Sequence, residues 1–338
     1  MNLTKLLATT SLAAIAAASL TILTGGSAFA QTKTITIDGS STVFPVSEAI
    51  AEEFQKANRG QIRVTVGISG TGGGFKKFCR GETDISNGSR PILKSEIEDC
   101  KKAGIEFIEL PLAFDALTVA VSPSNNFIGE CITVAELKKI WEPSAQGKVM
   151  NWSDVNPKWP NQKMSLFGAG ADSGTFDYFT EAVTGKAKAS RGDFTASEDD
   201  NVLVTGIEKD PNSLGYIPYA YYAPHAKQMK ALGIDGGKGC VKPSLEAVTA
   251  GTYNPLGRPL FIYVSKKAAE KPEIKQYVEF AMTKGTPLIQ EVRYLPLPQK
   301  AYDGALKHFN EGRVGSVFGG VPEVGISIDE LMKRDAKS

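Results

Sequence analysis

The sequence predicts an α/β protein assembled from strand–turn–helix units. Three times, a strand-like run enters a turn of glycines and hydroxyls and then an amphipathic helix. The 34 glycines suit many tight turns, and a hydrophobic content of 42% suits a soluble chain with a real core. At 338 residues the chain exceeds one ordinary domain, so two lobes are expected.

The first unit sets the pattern. Thr34-Ile35-Thr36-Ile37 alternates as a half-buried strand does, and Pro45 opens a helix with Val46, Ala49, Ile50 and Phe54 on one face. Asp38-Gly39-Ser40-Ser41-Thr42-Val43 joins them, placing hydroxyls where free N–H groups and the helix dipole favour an anion. An ordinary N-cap is the plain alternative for such a turn taken alone. The second unit runs from a strand at 62–66 through Ser69-Gly70-Thr71-Gly72-Gly73-Gly74 into a helix carrying Phe75, Phe78 and Cys79. Its glycines let backbone amides converge, but the G-K-[ST] ending of a nucleotide loop is missing.

Arg90 follows in Asn87-Gly88-Ser89-Arg90-Pro91, either as a fixed cation near these turns or as a solvated loop arginine. A helix at 94–103, a strand at 107–110 and an apolar strand at 116–121 come next, and the polar stretch 122–126 reads as the crossing to a second lobe. There, a strand at 164–168 meets the third turn, Gly170-Ala171-Asp172-Ser173-Gly174-Thr175, ahead of a helix with Phe176, Phe179 and Val183. Repetition of one device favours convergence of all three turns on one anion.

Acids at 198–200 complement the start of a following helix, and the aromatic run 215–222 suits core and interlobe packing. A buried strand at 260–264 reads as the return crossing, with helices at 272–283 and 287–293 completing the first lobe. The expected domains are therefore 1–30 as a signal peptide, 31–121 with 260–338 as one lobe, and 122–259 as the other.

Residues 1–30 have a basic start at Lys5, a short apolar core and Ala28-Phe29-Ala30, the pattern of a secretory signal cleaved after Ala30. The apolar core is too short to span a membrane, and no cysteine near the cut offers a lipid attachment point. Cleavage leaves 37 basic against 37 acidic residues, which argues against nucleic acid as a partner and requires any anion to be held by local geometry. Four cysteines in an exported chain suggest two disulfides. Cys79–Cys100, flanking one helix–loop unit, with Cys131–Cys240 is one of three connectivities. With no C-x-x-C and only two histidines, neither a metal site nor any cofactor is expected.

With these residues in view, the chain resembles the periplasmic phosphate-binding proteins of Pst-type ABC transporters, and most of all the branch of the cyanobacterial SphX-type proteins. The resemblance runs over nearly the whole mature chain and is most specific at 38–45, 69–74, 84–91 and 172–176. It implies a two-lobed periplasmic binding protein fold of type II, with dehydrated phosphate clamped in the cleft between lobes joined by two hinge crossings. It implies a periplasmic protein, expected as a monomer, that docks on an inner-membrane ABC permease.

Carried over by position, the resemblance offers the Ser41 and Thr42 hydroxyls, the amides of Thr42 and Val43, then Thr71, and then Ser173, Gly174 and Thr175. Two positions depart from the better-known branch: an aspartate is replaced by Ser89, and an arginine by Ala169. Arg90 is the expected substitute for the cation, as a bidentate donor, and Asp172 for the carboxylate. Phosphate at neutral pH carries an O–H that a carboxylate accepts, whereas sulfate carries none, so Asp172→Asn is expected to weaken phosphate and relax sulfate exclusion. Asp38 rivals Asp172 for that role, with a structural turn bond as its alternative.

The rival function is an exported phosphatase or esterase with Ser173 or Thr42 as nucleophile. The sequence lacks a G-x-S-x-G elbow, and neither histidine lies near these turns. A binding protein for another tetrahedral oxyanion, or a surface protein that merely keeps the fold, are the other readings.

Overall fold

The computed structural model describes residues 33–321 and 323–335; the expected signal peptide and its cleavage point lie outside them. Eight strands carry the sheet: β1 (Lys33–Gly39), β2 (Ile62–Ile68), β3 (Ile85–Gly88), β4 (Phe107–Val121), β5 (Ser165–Ala169), β6 (Thr195–Ser197), β7 (Ser213–Pro218) and β8 (Gly257–Ser265). They run in the order β2-β1-β3-β8-β4-β7-β5-β6, and two short strands at 230–231 and 295–296 also pair with β4.

β1 is parallel to β2 and β3, and β5 is parallel to β6 and β7. Between these groups, β4 is antiparallel to β8 through residues 107–116 and to β7 through residues 117–121. The three turns follow the C-terminal ends of β1, β2 and β5 and lead into α1 (Phe44–Ala57), α2 (Thr71–Phe78) and α4 (Gly174–Thr184); α3 (Lys94–Lys102) lies between the last two in sequence. Crevices at such strand ends are where open α/β sheets bind ligands.

The alternation at 34–37 buries Ile35 and Ile37 against the helix layer. α1 turns Val46, Ile50 and Phe54 inward, each contributing about 1.5–3 kcal/mol by burial. Phe54 meets Tyr277 edge-on at 5.3 Å, tying α1 to α6 (Pro272–Glu291). In the other half, Phe179 of α4 stacks on Tyr216 of β7 at 3.8 Å. Both expected disulfides, Cys79–Cys100 and Cys131–Cys240, are formed.

Three local expectations need correction. The strands expected at 107–110 and 116–121 are one strand, because Pro111, which lacks an N–H, sits where β8 shifts register between Leu260 and Phe261. α2 begins at Thr71 and absorbs Gly72 to Gly74. Gly74 is needed there because a Cβ would stand 2.5 Å from the Gly39 Cα. The helices expected at 272–283 and 287–293 are the single α6, which runs through Pro287 and packs Gly285 against Ile50 of α1. Among the described residues, no helix is long and apolar enough to cross a membrane.

Candidate functional site

The three turns meet in one buried cluster. Thr42 of the first turn and Thr175 of the third share a hydrogen bond of 2.9 Å between their hydroxyls. Thr71 of the second turn stands 3.1 Å from the Ser89 hydroxyl, and the Ser89 amide also donates to Thr71 at 3.2 Å. Gly174 completes the contact: a Cβ there would lie 2.5 Å from the Thr71 Oγ1 and 2.6 Å from the Ser89 Oγ. Ser173 caps α4, its hydroxyl accepting from the Thr175 amide at 3.1 Å. Val43 is buried at the cap position of α1, its amide donating to the Ser40 hydroxyl at 3.4 Å.

The cation of this cluster is Arg258, which sequence reasoning missed. It is fully buried, and its Nη2 donates to Thr175 at 2.9 Å and to Thr42 at 3.2 Å. Its Nη1 reaches the Ser89 carbonyl at 3.4 Å. Asp115 holds the guanidinium from behind, accepting from Nη2 at 2.9 Å and Nε at 3.1 Å. The register of β4 and β8 sets Arg258 directly across from Asp115. Burial pushes the Asp115 carboxyl up, and the guanidinium opposes that shift.

Arg90, the expected ligand donor, points its guanidinium at other partners. It is also buried, and its fork is spent on Glu96 at 2.7 and 2.8 Å, on Asp177 at 2.6 Å and on the Pro91 carbonyl at 3.1 Å. Asp172, the expected acceptor, is engaged elsewhere too: its carboxylate is 42% exposed and pairs with Lys76 at 2.8 Å. Asp38, its rival, is occupied by Lys77 at 2.7 Å and by the Ser69 hydroxyl.

The acid that does face the cluster is Asp200, at the start of α5 (Asp200–Lys209). The preceding Asp199 caps that helix, as the acids at 198–200 were expected to do, by accepting from the Asn201 amide at 2.9 Å. Asp200 itself is buried, with its carboxyl near the Ser41 side chain, and keeps a buried Oδ2 with no partner among the described residues. Burial pushes its carboxyl up to about 7, against the pull of the nearby Ser41 side chain and the Arg258 charge. Tyr221, from the aromatic run, braces the same turn by donating to the Ser41 carbonyl at 3.1 Å.

The arrangement is a buried nest of hydroxyls and amides around one guanidinium, with one under-bonded carboxyl at its edge. It suits a tetrahedral oxyanion that can also offer a proton. Among the described residues, no group of three or more His, Cys, Asp or Glu could hold a metal ion.

Fold and site together define a solute-binding module, and the comparisons agree: residues 25–284 match the family described as a PBP superfamily domain, to which the chain belongs. Within it, the chain is 49% identical over 322 residues to protein SphX of Synechococcus elongatus, covering 95% of this chain and 94% of that one. It is 36% identical to the phosphate-binding protein PstS of Staphylococcus saprophyticus, covering 78% of this chain and 81% of that one. The crystal structure of a possible phosphate binding protein from Planctomyces limnophilus superposes with a TM-score of 0.62 at 45% identity, over 83% of this chain and 99% of that one. The fold is the mixed α/β type II fold of periplasmic binding proteins.

Proposed function

We propose that the protein captures inorganic phosphate outside the inner membrane and delivers it to an ABC permease, without catalysing any reaction on it. The observation that carries this reading is the convergence of three donor turns on Arg258. Sequence kinship to SphX and to a phosphate-binding PstS supports the choice of ligand. Ser41, Thr42, Val43, Thr71, Ser89, Ser173, Gly174 and Thr175 line the ligand, with Arg258 as its cation and Asp200 as the acceptor of its proton. Thr42 and Thr175 touch in this structure, so the anion enters as the two halves part and is wrapped as they return.

Two lobes carry that motion. β4 exchanges partners between Ala116 and Leu117, opposite Gly257 of β8, which supports crossings there, a few residues from the expected 121/122 and 259/260 boundaries. Export through the segment 1–30, cleavage after Ala30, periplasmic residence and a monomeric state complete the proposal.

Isothermal titration at about pH 9, where the Asp200 carboxyl is ionised and phosphate still carries one O–H, tests it. Phosphate and arsenate should bind competitively, and sulfate should bind about 100-fold more weakly, since it leaves a carboxylate facing an oxygen with no shared proton. Sulfate binding as tightly as phosphate would reject the reading. Turnover of a chromogenic phosphate ester would favour the hydrolase.

Gly174→Ala provides a second check. A methyl group at 2.5–2.6 Å from two hydroxyls forces the second and third turns apart. Overpacking of this kind costs about 1–3 kcal/mol, so phosphate affinity should fall about tenfold or more. An unchanged titration would mean that the ligand does not lie between those turns.

A further inference from the structure

Outside the anion cluster, the second and third turns are joined by a separate chain of contacts. The Gly72 amide donates to the Asp172 carbonyl at 2.8 Å, and the Lys76 ammonium pairs with the Asp172 carboxylate at 2.8 Å. The Asp172 amide in turn donates to the Glu198 Oε1 at 3.0 Å. Glu198 Oε2 is buried with no hydrogen-bond partner among the described residues, and it lies beside Gly70 of the second turn. Asp172 is thus the middle link between Glu198 on one side and Gly72 and Lys76 on the other, and none of these side chains bonds to the hydroxyl cluster.

We infer that Glu198, Asp172 and Lys76 form a clasp between the second and third turns that tightens when Glu198 takes up a proton and loosens when it ionises. The inference rests on the phosphate reading only in taking this seam as the mouth of the binding site. Three charged groups face Glu198: Asp172 and Asp177, of its own sign, and Lys76, of the opposite sign. Burial pushes the carboxyl up, and the two aspartates add to that shift. The Asp172 amide and Lys76 oppose it. An ionised Glu198 therefore carries a buried oxygen without a donor, whereas a neutral carboxyl removes that cost.

The sign follows from linkage. A carboxyl whose pKa is raised in the clasped arrangement favours that arrangement below its ordinary pKa and loses this effect as pH rises through the raised value. Mild acid should hold the seam shut, and neutral pH should ease its opening. Glu198 then acts as a positioning residue for the turns, not as a ligand.

Hydrogen exchange of the full-length, phosphate-free protein over a series from about pH 4 to about pH 8 tests this, with rates corrected for intrinsic chemistry. Protection of the Gly72 amide, read from a peptide spanning 69–78, should fall about threefold or more with rising pH in the wild type. Glu198→Gln keeps an acceptor for the Asp172 amide and removes the charge, so its protection should stay high and independent of pH. Lys76→Met removes the one cation that lowers the Glu198 pKa and should move the response to higher pH. A pH response in Glu198→Gln equal to the wild type would overturn the inference and assign the titration elsewhere, with Asp200 the first candidate. A protein that shows the response but binds no phosphate by calorimetry would sink the phosphate reading and leave the clasp standing.

Discussion

Arg258→Lys should lower phosphate affinity about 100-fold or more, the largest effect expected of any single conservative change in the site. Nε and Nη2 together grip Asp115 while Nη2 also reaches Thr42 and Thr175 and Nη1 reaches the Ser89 carbonyl, a fork that an ammonium cannot reproduce from one point. Each hydrogen bond to a charged group contributes about 1.5–3 kcal/mol, so losing two of them accounts for the loss. Arg258→Ala should be worse in a second way. It leaves Asp115 buried without its partner, at a cost of about 3–5 kcal/mol of stability, and a binding defect could then be a folding defect.

The double replacement Arg258→Met with Asp115→Leu separates the two effects. Apolar pairs of similar volume often match or exceed a buried ion pair in stability, so the double variant should melt close to the wild type while still failing to bind. Titration and thermal melting of the single and double variants check this. A double variant that binds phosphate as tightly as the wild type would remove Arg258 from the site.

Why Arg258 escaped the sequence reading is a matter of range. The turns were legible because everything that defines them is local: a strand, a few hydroxyls and glycines, and a helix start within about ten residues. Ser173 and Thr175 could be assigned to a cap and its neighbourhood from neighbouring residues alone. Arg258 and Asp115 are 143 residues apart, and only the antiparallel register of β4 and β8 sets them face to face. The signal available was indirect: an acid, Asp115, in the apolar middle of the strand at 107–121, and a lone arginine just before the strand at 260–264. Each charge needs a partner once buried.

Arg90 misled for the matching reason. Its position beside Ser89 is correct, but Glu96 of α3 and Asp177 of α4 fold over it; Glu96 is near in the chain, whereas Asp177 is 87 residues away and is brought in only by the fold. The break expected between two helices at 284–286 failed differently. Proline at 287 reads as a stop, yet packing of α6 on α1 keeps the helix continuous across it.

Asp200→Asn should convert a protein that excludes sulfate into one that tolerates it. Asp200 is 2% exposed and keeps Oδ2 unpaired, so once ionised it offers an arriving O–H an acceptor and an arriving bare oxygen only repulsion. The amide of asparagine offers a donor instead. Phosphate affinity should fall about tenfold with loss of a charge-assisted bond, and the preference for phosphate over sulfate should shrink by about 100-fold. Asp172→Asn should leave the preference unchanged, because that carboxylate is half-exposed and paired with Lys76.

The same substitution should leave a mark without ligand. The Asp200 carboxyl is pushed up to about 7 by burial, against about 3.9 in an unfolded chain. Between those values the folded protein holds a proton that the unfolded chain has released, so this group favours folding below about pH 4 and ceases to as pH rises through about 7. In phosphate-free melts, the wild type should lose stability over that window, and Asp200→Asn should flatten the loss and be the more stable of the two at pH 8. Parallel curves for the two proteins, together with unchanged sulfate exclusion, would move both the buried proton and the acceptor role away from Asp200.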